Sequence, residues 1–323
     1  MPPSATVTAP PELSVILPMF NEAQNIAPML ARLVPVLEGC VGSFEIVFVD
    51  DGSGDDTLDI LRAANRADPR ILALSFSRNF GKEIAIAAGL DAVQGRAAVI
   101  MDADLQHPPE TIPLFVEKWR NGYKSVYAQR VDRNIESPLR RLLVRRFYAL
   151  FDSFGEMRLP HGAGDFRLLD AQAVEALRSM GERARFSKGL YAWIGYKSVG
   201  VPYVVEARAS GTTKFSYRKL TRFALDGIMS FSTLPLRVWS IIGLGVSVFA
   251  FLMALYFLAR TLLYGIDVPG FATLIVSLLF FSGIQLLSLG VLGEYIGRIF
   301  AEVKRRPLYL VAERIGQTSP RND

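Results

Sequence analysis

Two long stretches without a charged residue lie near the C-terminal end of this 323-residue chain: Val238 to Ala259, VWSIIGLGVSVFAFLMALYFLA, and Phe271 to Leu292, FATLIVSLLFFSGIQLLSLGVL. Each matches the roughly 20 residues an α-helix needs to span a bilayer. The chain is therefore expected to carry a two-helix transmembrane hairpin over residues 237–297. Arg218, Lys219, Arg222 and Arg237 precede the first run, and Lys304, Arg305 and Arg306 follow the second. The connector YGIDVPG carries only Asp267. Positive charge at both outer ends predicts a multi-pass protein of the inner membrane, with the large domain and both termini cytoplasmic. Arg260, near the far end of the first run, is long enough to snorkel to the opposite interface.

These runs raise the apolar share to 50%, above that of ordinary soluble chains. The opening MPPSATVTAPPEL has no basic segment followed by an apolar one, so no cleaved export signal is expected and residues 1–12 read as a flexible tail. The single cysteine, Cys40, cannot form an internal disulfide, which fits a reducing compartment. The net charge of +5 is concentrated beside the apolar runs, where anionic lipid attracts it. The partner it implies is the membrane and not nucleic acid.

From Leu13 onward, β-branched runs alternate with segments of helical period: LSVILPM, Ala23–Leu37, FEIVFVD, Thr57–Ala67, RILALSF, Lys82–Val93 and AAVIMDAD. This is a βαβ series, predicting an α/β domain over residues 13–213 with a Rossmann-like, mostly parallel sheet. Ligands of such sheets sit at the strands' carboxyl ends. Polar residues gather there: Asn21 and Glu22, Asp50 and Asp51, Arg78 and Asn79, Asp102 and Asp104. A helix is expected near residues 139–154 and a strand near DFRLLD. Residues 214–236 mix basic and apolar residues at helical spacing, as interfacial amphipathic helices do, and 298–323 is expected to be a cytoplasmic tail.

VDDGSGDDT is not a dinucleotide-binding glycine loop. Thr57 stands where the third glycine belongs, and Asp55 and Asp56 would repel a pyrophosphate at the helix start. Asp50 and Asp51 can accept hydrogen bonds from a base or ribose, or form an Asx turn. In DADLQ, an extended strand end would point Asp102, Asp104 and Gln106 the same way, toward one oxygen-liking cation such as Mg²⁺ or Mn²⁺. The same acids could instead cap the helix that begins near Pro108.

In order along the chain, SVILPMFNE, FVDDGSGDDT, SRNFGKEIAIAAGL, VIMDADLQHPPE, GDFRLLD, RFSKGLYAWIGY and ASGTTKFSYRKL resemble the polyprenyl-phosphate glycosyltransferases of glycosyltransferase family two, in particular the bacterial bactoprenol glucosyltransferase type with two C-terminal spans. The resemblance covers about residues 13–306. It implies a GT-A fold and inverting transfer of a sugar from a nucleotide diphosphate to undecaprenyl or another polyprenyl phosphate on the cytoplasmic leaflet. By position, Pro18, Phe20, Asn21, Glu22 and Asp50 or Asp51 would hold the nucleoside, and Arg78 and Lys82 could reach the donor. Asp102, Asp104 and Gln106 would hold Mg²⁺ or Mn²⁺. Arg208, Lys214 and Arg218 would meet the phosphates. Phe20 stands where relatives often have tyrosine, which keeps ring stacking but not a phenolic hydrogen bond. The Gln-x-x-Arg-Trp motif of processive synthases is absent, so single transfer is expected.

A phosphate monoester has a second pKa near 6 and is already nucleophilic at neutral pH, so no strong base is required. Catalysis must bring two anions together and stabilise the departing diphosphate. Asp165, in the acceptor-side motif, is accordingly expected to orient or to act electrostatically, with the metal or Arg167 offsetting its repulsion of the acceptor. Glucose from UDP-glucose is the first choice of donor; mannose, N-acetylhexosamine and amino-arabinose remain, as does a scaffold that binds nucleotide sugar without transfer. A homo-oligomer is compatible with this reading.

Overall fold

Nearly unbroken apolar runs in the first hundred residues become strands covered on both faces. β1 (Leu13–Met19) and β2 (Phe44–Asp50) are buried at every position, as strands in the middle of an α/β sheet must be. The polar residues in their interiors, Ser14 and Glu45, satisfy each other through a 2.6 Å hydrogen bond, which removes the cost of burying either alone. The protein is described by a computed structural model over residues 9–130, 163–183, 185, 187–203, 234–264 and 270–316.

Helix α1 (Ala23–Cys40) turns Ile26, Met29, Leu33 and Leu37 inward, and its two prolines, Pro28 and Pro35, fall on the exposed face. Then follow α2 (Thr57–Ala67), β3 (Ile71–Phe76), α3 (Lys82–Ala92) and β4 (Ala97–Ile100). α3 is buried from Ala85 to Leu90. A Cβ on Gly89 would come within 2.3 Å of Ile16 Cγ2, so glycine allows this helix to lie directly on β1. A 3₁₀ turn at Pro109–Thr111 leads into α4 (Ile112–Arg120), followed by β5 (Ser125–Arg130), β6 (Ala163–Asp170), α5 (Ala171–Ser179), α6 (Ser187–Trp193) and β7 (Ser198–Tyr203).

The sheet has eight strands in the order β7-β5-β6-β4-β1-β2-β3-β8, with β8 at Val311–Ile315. The pairs β1/β2, β1/β4, β2/β3 and β5/β7 are parallel, while β4/β6, β5/β6 and β3/β8 are antiparallel. The sheet is thus mixed, where the βαβ series alone predicts a mostly parallel one. The antiparallel strands come from the part of the chain where the alternation fades.

The expected C-terminal tail is also corrected. Residues 311–315 complete the sheet beside β3, held by Arg62 pairing with both oxygens of Glu313 at 2.9 and 2.5 Å. Tyr309 stacks on Phe76 at 5.1 Å and donates to Asp91 at 3.0 Å.

The chain divides into two units, Met1–Leu220 with Arg306–Asp323, and Thr221–Arg305. The second contains α7 (Leu234–Tyr264, 31 residues) and α8 (Phe271–Val303, 33 residues). Among the described residues one stretch, Val276–Val303, is long and apolar enough to cross a membrane. The sequence predicts two spans; the described residues supply one. Of the interfacial helices expected over 214–236, residues 214–233 lie outside the described residues and 234–236 open α7; the helix expected near 139–154 also lies outside them.

Candidate active site

The carboxyl ends of β1 to β4 bring together most of the polar residues singled out in the sequence. Pro18 lies within β1, buried and paired with Val49. The chain then leaves the sheet through Phe20, 45% exposed, and Asn21, whose φ of +56° asparagine tolerates better than most residues. Asn21 ties this turn to the β2–α2 loop: its Oδ1 accepts from Gly54 N at 2.9 Å, and its N–H donates to Ser53 Oγ at 2.8 Å. Glu22 N–H donates to Thr57 Oγ1 at 3.2 Å.

Asp50 and Asp51 are both buried and both engaged. Asp50 accepts from Ser53 N at 3.0 Å and from Ser75 Oγ at 2.7 Å. Asp51 accepts from the N–H groups of Phe80 and Gly81 at 2.6 and 2.8 Å. Burial pushes the Asp51 carboxyl up, against those two N–H groups that favour its charged form. Gly52, at φ +71°, passes so near the next loop that a Cβ would lie 2.6 Å from the Arg78 carbonyl carbon. The Arg78 guanidinium lies over the Phe80 ring at 4.1 Å and donates to Asn79 O.

The DAD segment does not continue the strand. β4 ends at Ile100, residues 103 and 104 form a turn, and Leu105 has φ +61°. The alternation expected of an extended Asp102–Gln106 therefore does not operate, and the turn sets the side-chain directions. Asp104 Oδ1 accepts from Gln106 N at 3.1 Å, and Asp102 N–H donates to His107 Nδ1 at 3.0 Å. The His107 ring stacks on Phe166 at 4.8 Å with planes 17° apart. With Nδ1 accepting, the neutral ring carries its proton on Nε2. Burial depresses the His107 pKa, against the pull of Asp102.

Sheet register places Asp165. Antiparallel pairing sets Ile100 opposite Arg167, so Asp102 follows the end of β4 by two residues where Asp165 precedes Arg167 by two. Lys82, the first residue of α3, joins them: its Nζ is 2.6 Å from Asp102 Oδ1 and 3.1 Å from Asp165 Oδ2. Burial acts to lower the Lys82 pKa, but Asp102 and Asp165 outweigh it and hold the ammonium charged. Burial raises Asp165, and Lys82, Lys188 and Arg167 more than reverse that, so it stays ionised.

Beside this triad lies a cluster of which the sequence singled out only Arg167; Glu83, Ser187 and Tyr191 were missed. Glu83 accepts from both the N–H and the hydroxyl of Ser187, and its carboxyl is pushed up by burial first and by the charge of Asp165 second. Arg167, buried, donates to Gly164 O at 2.7 Å and lies over the Tyr191 ring at 3.6 Å. Ser187 and Tyr191 reach the site only through tertiary packing; GDFR and RFSKGLYAWIGY were the local signals. Among the described residues no three His, Cys, Asp or Glu side chains converge as a metal cluster. Arg208, Lys214 and Arg218 lie outside the described residues.

Residues 14–178 match the family model described as "Glycosyl transferase family 2". The chain is 47% identical over 305 residues to "Uncharacterized glycosyltransferase sll0501" of Synechocystis sp., covering 94% of this chain and 96% of that one. It is 43% identical over 300 residues to the "SfII prophage-derived bactoprenol glucosyl transferase" of Shigella flexneri, covering 93% and 97%. A solved structure, "Mannosyltransferase PcManGT from Pyrobaculum calidifontis in complex with GDP-Man and Mn2+", is similar at 18% identity and a TM-score of 0.47 over 90% of this chain and 88% of that one. An eight-stranded mixed sheet flanked by helices, a match across half the chain and relatives aligned along nearly all of it agree: the protein belongs to glycosyltransferase family 2 and is a glycosyltransferase.

Proposed function

We propose that this enzyme transfers a single sugar, with inversion, from a nucleoside diphosphate sugar to undecaprenyl or another polyprenyl phosphate at the cytoplasmic leaflet of the inner membrane. UDP-glucose is the first choice of donor; mannose, N-acetylhexosamine and amino-arabinose donors are the alternatives. The observation that carries this reading is Lys82 linking Asp102 to Asp165. The resemblance assigns the first to the metal, which could bridge the donor's diphosphate, and the second to the acceptor-side motif, so the two halves of the reaction meet at one point, as a displacement between two anions requires. Support for the acceptor comes from the relatives named bactoprenol glucosyl transferase at 43% identity.

The donor set fits a hard divalent cation. Asp102, Asp104 and Gln106 offer only oxygens, the preference of Mg²⁺ and Mn²⁺, and the Lys82 ammonium beside Asp102 marks a place where positive charge is already accommodated. When bound, Mg²⁺ or Mn²⁺ supplies charge neutralisation for the departing diphosphate. The chain's own residues do the rest. Phe20 offers an exposed ring face for a base; Pro18, Asn21, Glu22 and one of Asp50 or Asp51 frame the nucleoside. Arg78 and Lys82 supply positive charge to the donor. Arg208, Lys214 and Arg218 hold the lipid phosphate. Asp165 orients the acceptor and is not a base, because a phosphate dianion is nucleophilic as it stands.

Membrane attachment follows from α8, and the 31 residues of α7, about 46 Å of helix, support a return pass. Basic residues at both outer ends favour cytoplasmic termini. The deciding experiment incubates purified protein with radiolabelled polyprenyl phosphate and a panel of nucleotide sugars. One labelled lipid monosaccharide, formed from UDP-glucose, is expected. A polymeric product, or transfer only to non-lipid acceptors, would overturn the reading.

A further inference from the structure

Lys82 makes an arrangement unlike an ordinary surface ion pair. Its ammonium contacts both oxygens of Asp102, at 2.6 and 2.9 Å, and Asp165 Oδ2 at 3.1 Å. The other Asp165 oxygen, Oδ1, is buried and has no hydrogen-bond partner among the described residues. Asp165 is held in place by β6, whose register to β4 is fixed up to Arg167, and only 17% of its side chain is exposed. Lys82 is different: 43% of its side chain is exposed, so it has open space into which to turn. The triad therefore sets a strand-held carboxylate, Asp165, and a loop carboxylate, Asp102, around a partly exposed cation.

Charge counting gives the movement a direction. One ammonium against two carboxylates leaves the triad at −1. A divalent ion on Asp102 would bring it to +1 with the ammonium still in place, and two cations would then compete for one carboxylate. We propose that Lys82 is the resident counter-cation of Asp102 and Asp165, holding the donor-side loop to the acceptor-side strand until a divalent ion takes Asp102, and that the released ammonium then pairs with a substrate phosphate oxygen. This inference rests on the metal reading proposed above. It adds that the protein itself opposes metal binding in the absence of nucleotide. The diphosphate brings negative charge that can receive the displaced ammonium, so nucleotide and metal bind cooperatively, each improving the other by the same factor.

The test measures Mn²⁺ binding to the full-length protein in detergent by the EPR signal of free Mn²⁺, with and without UDP. For the wild type, weak binding alone and tighter binding with UDP are expected. Lys82→Met should bind Mn²⁺ about tenfold more tightly without nucleotide, since a unit positive charge beside the ligand is gone. Its sugar transfer should fall about tenfold or more, since the ammonium no longer reaches the phosphates. Lys82→Arg should keep wild-type Mn²⁺ affinity, and Lys82→Gln serves as a second neutral variant if Lys82→Met does not fold by thermal melting. Disruption of the fold weakens metal binding, so a tightening separates this role from structural damage. Equal or weaker Mn²⁺ binding by both neutral variants, with binding by the wild type intact, would overturn the Lys82 assignment and leave the metal reading standing. No Mn²⁺ binding by the wild type even with UDP would remove the metal reading and this inference with it.

Discussion

His107 Nδ1 accepts the backbone N–H of Asp102 at 3.0 Å, while the His107 ring lies on Phe166, the neighbour of Asp165. One side chain thus sets the start of the DAD turn and packs against the strand that carries the opposing carboxylate. His107→Asn keeps an acceptor in place of Nδ1, and His107→Phe keeps the ring and removes the acceptor. Leaving the Asp102 N–H without its partner costs about 1–3 kcal/mol. Turnover of His107→Phe is expected to fall about tenfold or more, with His107→Asn retaining the larger share. Steady-state kinetics on both variants decides; wild-type turnover in His107→Phe beside a loss in His107→Asn would show that only the ring packing matters.

Asp104 is expected to be indispensable. Asp104→Asn keeps the shape of the turn and an acceptor for Gln106 N–H, but halves the carboxylate charge available to a cation. Transfer should drop at least about 100-fold, the scale of losing a key electrostatic stabiliser. Chelation of the wild type with EDTA should abolish activity, and restoration by added Mg²⁺ or Mn²⁺ completes the comparison. Undiminished turnover in EDTA would count against metal dependence.

Gly52 is required by its backbone and its surroundings together. Its φ is +71°, and a Cβ would meet the Arg78 carbonyl carbon at 2.6 Å. Gly52→Ala should therefore cost about 1–3 kcal/mol from the disfavoured φ and also push apart the two loops that Asp51 ties together through Phe80 and Gly81. A lowered melting temperature together with weakened UDP binding is expected. Wild-type values for both would contradict the close approach.

Asp170 gives the domain an acid-labile point away from the site. Its carboxylate caps α5 through Gln172 N–H and accepts from Trp119 Nε1 at 2.8 Å and from Lys124 Nζ at 3.0 Å. Burial raises its pKa, but these donors outweigh that and hold it below the usual range. A depressed folded-state pKa contributes stability that is present above the unfolded value near 3.9 and lost as pH falls through the folded one. Asp170→Ala should lose about 2 kcal/mol at pH 7. Its unfolding free energy should also fall less steeply below pH 4 than that of the wild type, measured by denaturant titration at several pH values.

Topology can be read by labelling single cysteines in a Cys40→Ser background. A cysteine at Gly270 should react with an impermeant reagent from outside the cytoplasm, and one at Ser319 only after the membrane is opened. The reverse pattern would move the catalytic domain to the other side.

Most elements of the first hundred residues were legible in neighbouring residues. The apolar runs ending at Met19, Asp50 and Phe76 became strands, α2 spans Thr57–Ala67 as its period predicts, and Lys82 opens α3. These are local properties, because the period of burial is written into neighbouring residues. The sequence also located Asp102, Asp104 and Asp165, although it took the DAD segment as extended where a left-handed Leu105 makes a turn. Tertiary structure alone decided which of them meet. β6 pairs antiparallel with β4 on one side and β5 on the other, and that choice faces Asp165 toward Asp102 and Lys82. The same holds for β8, which joins β3 from a segment with no strong strand period. Strand pairing depends on which surfaces remain to be buried once distant segments have collapsed, and a one-residue change of register would turn Asp165 to the other face. No window of neighbouring residues contains that information.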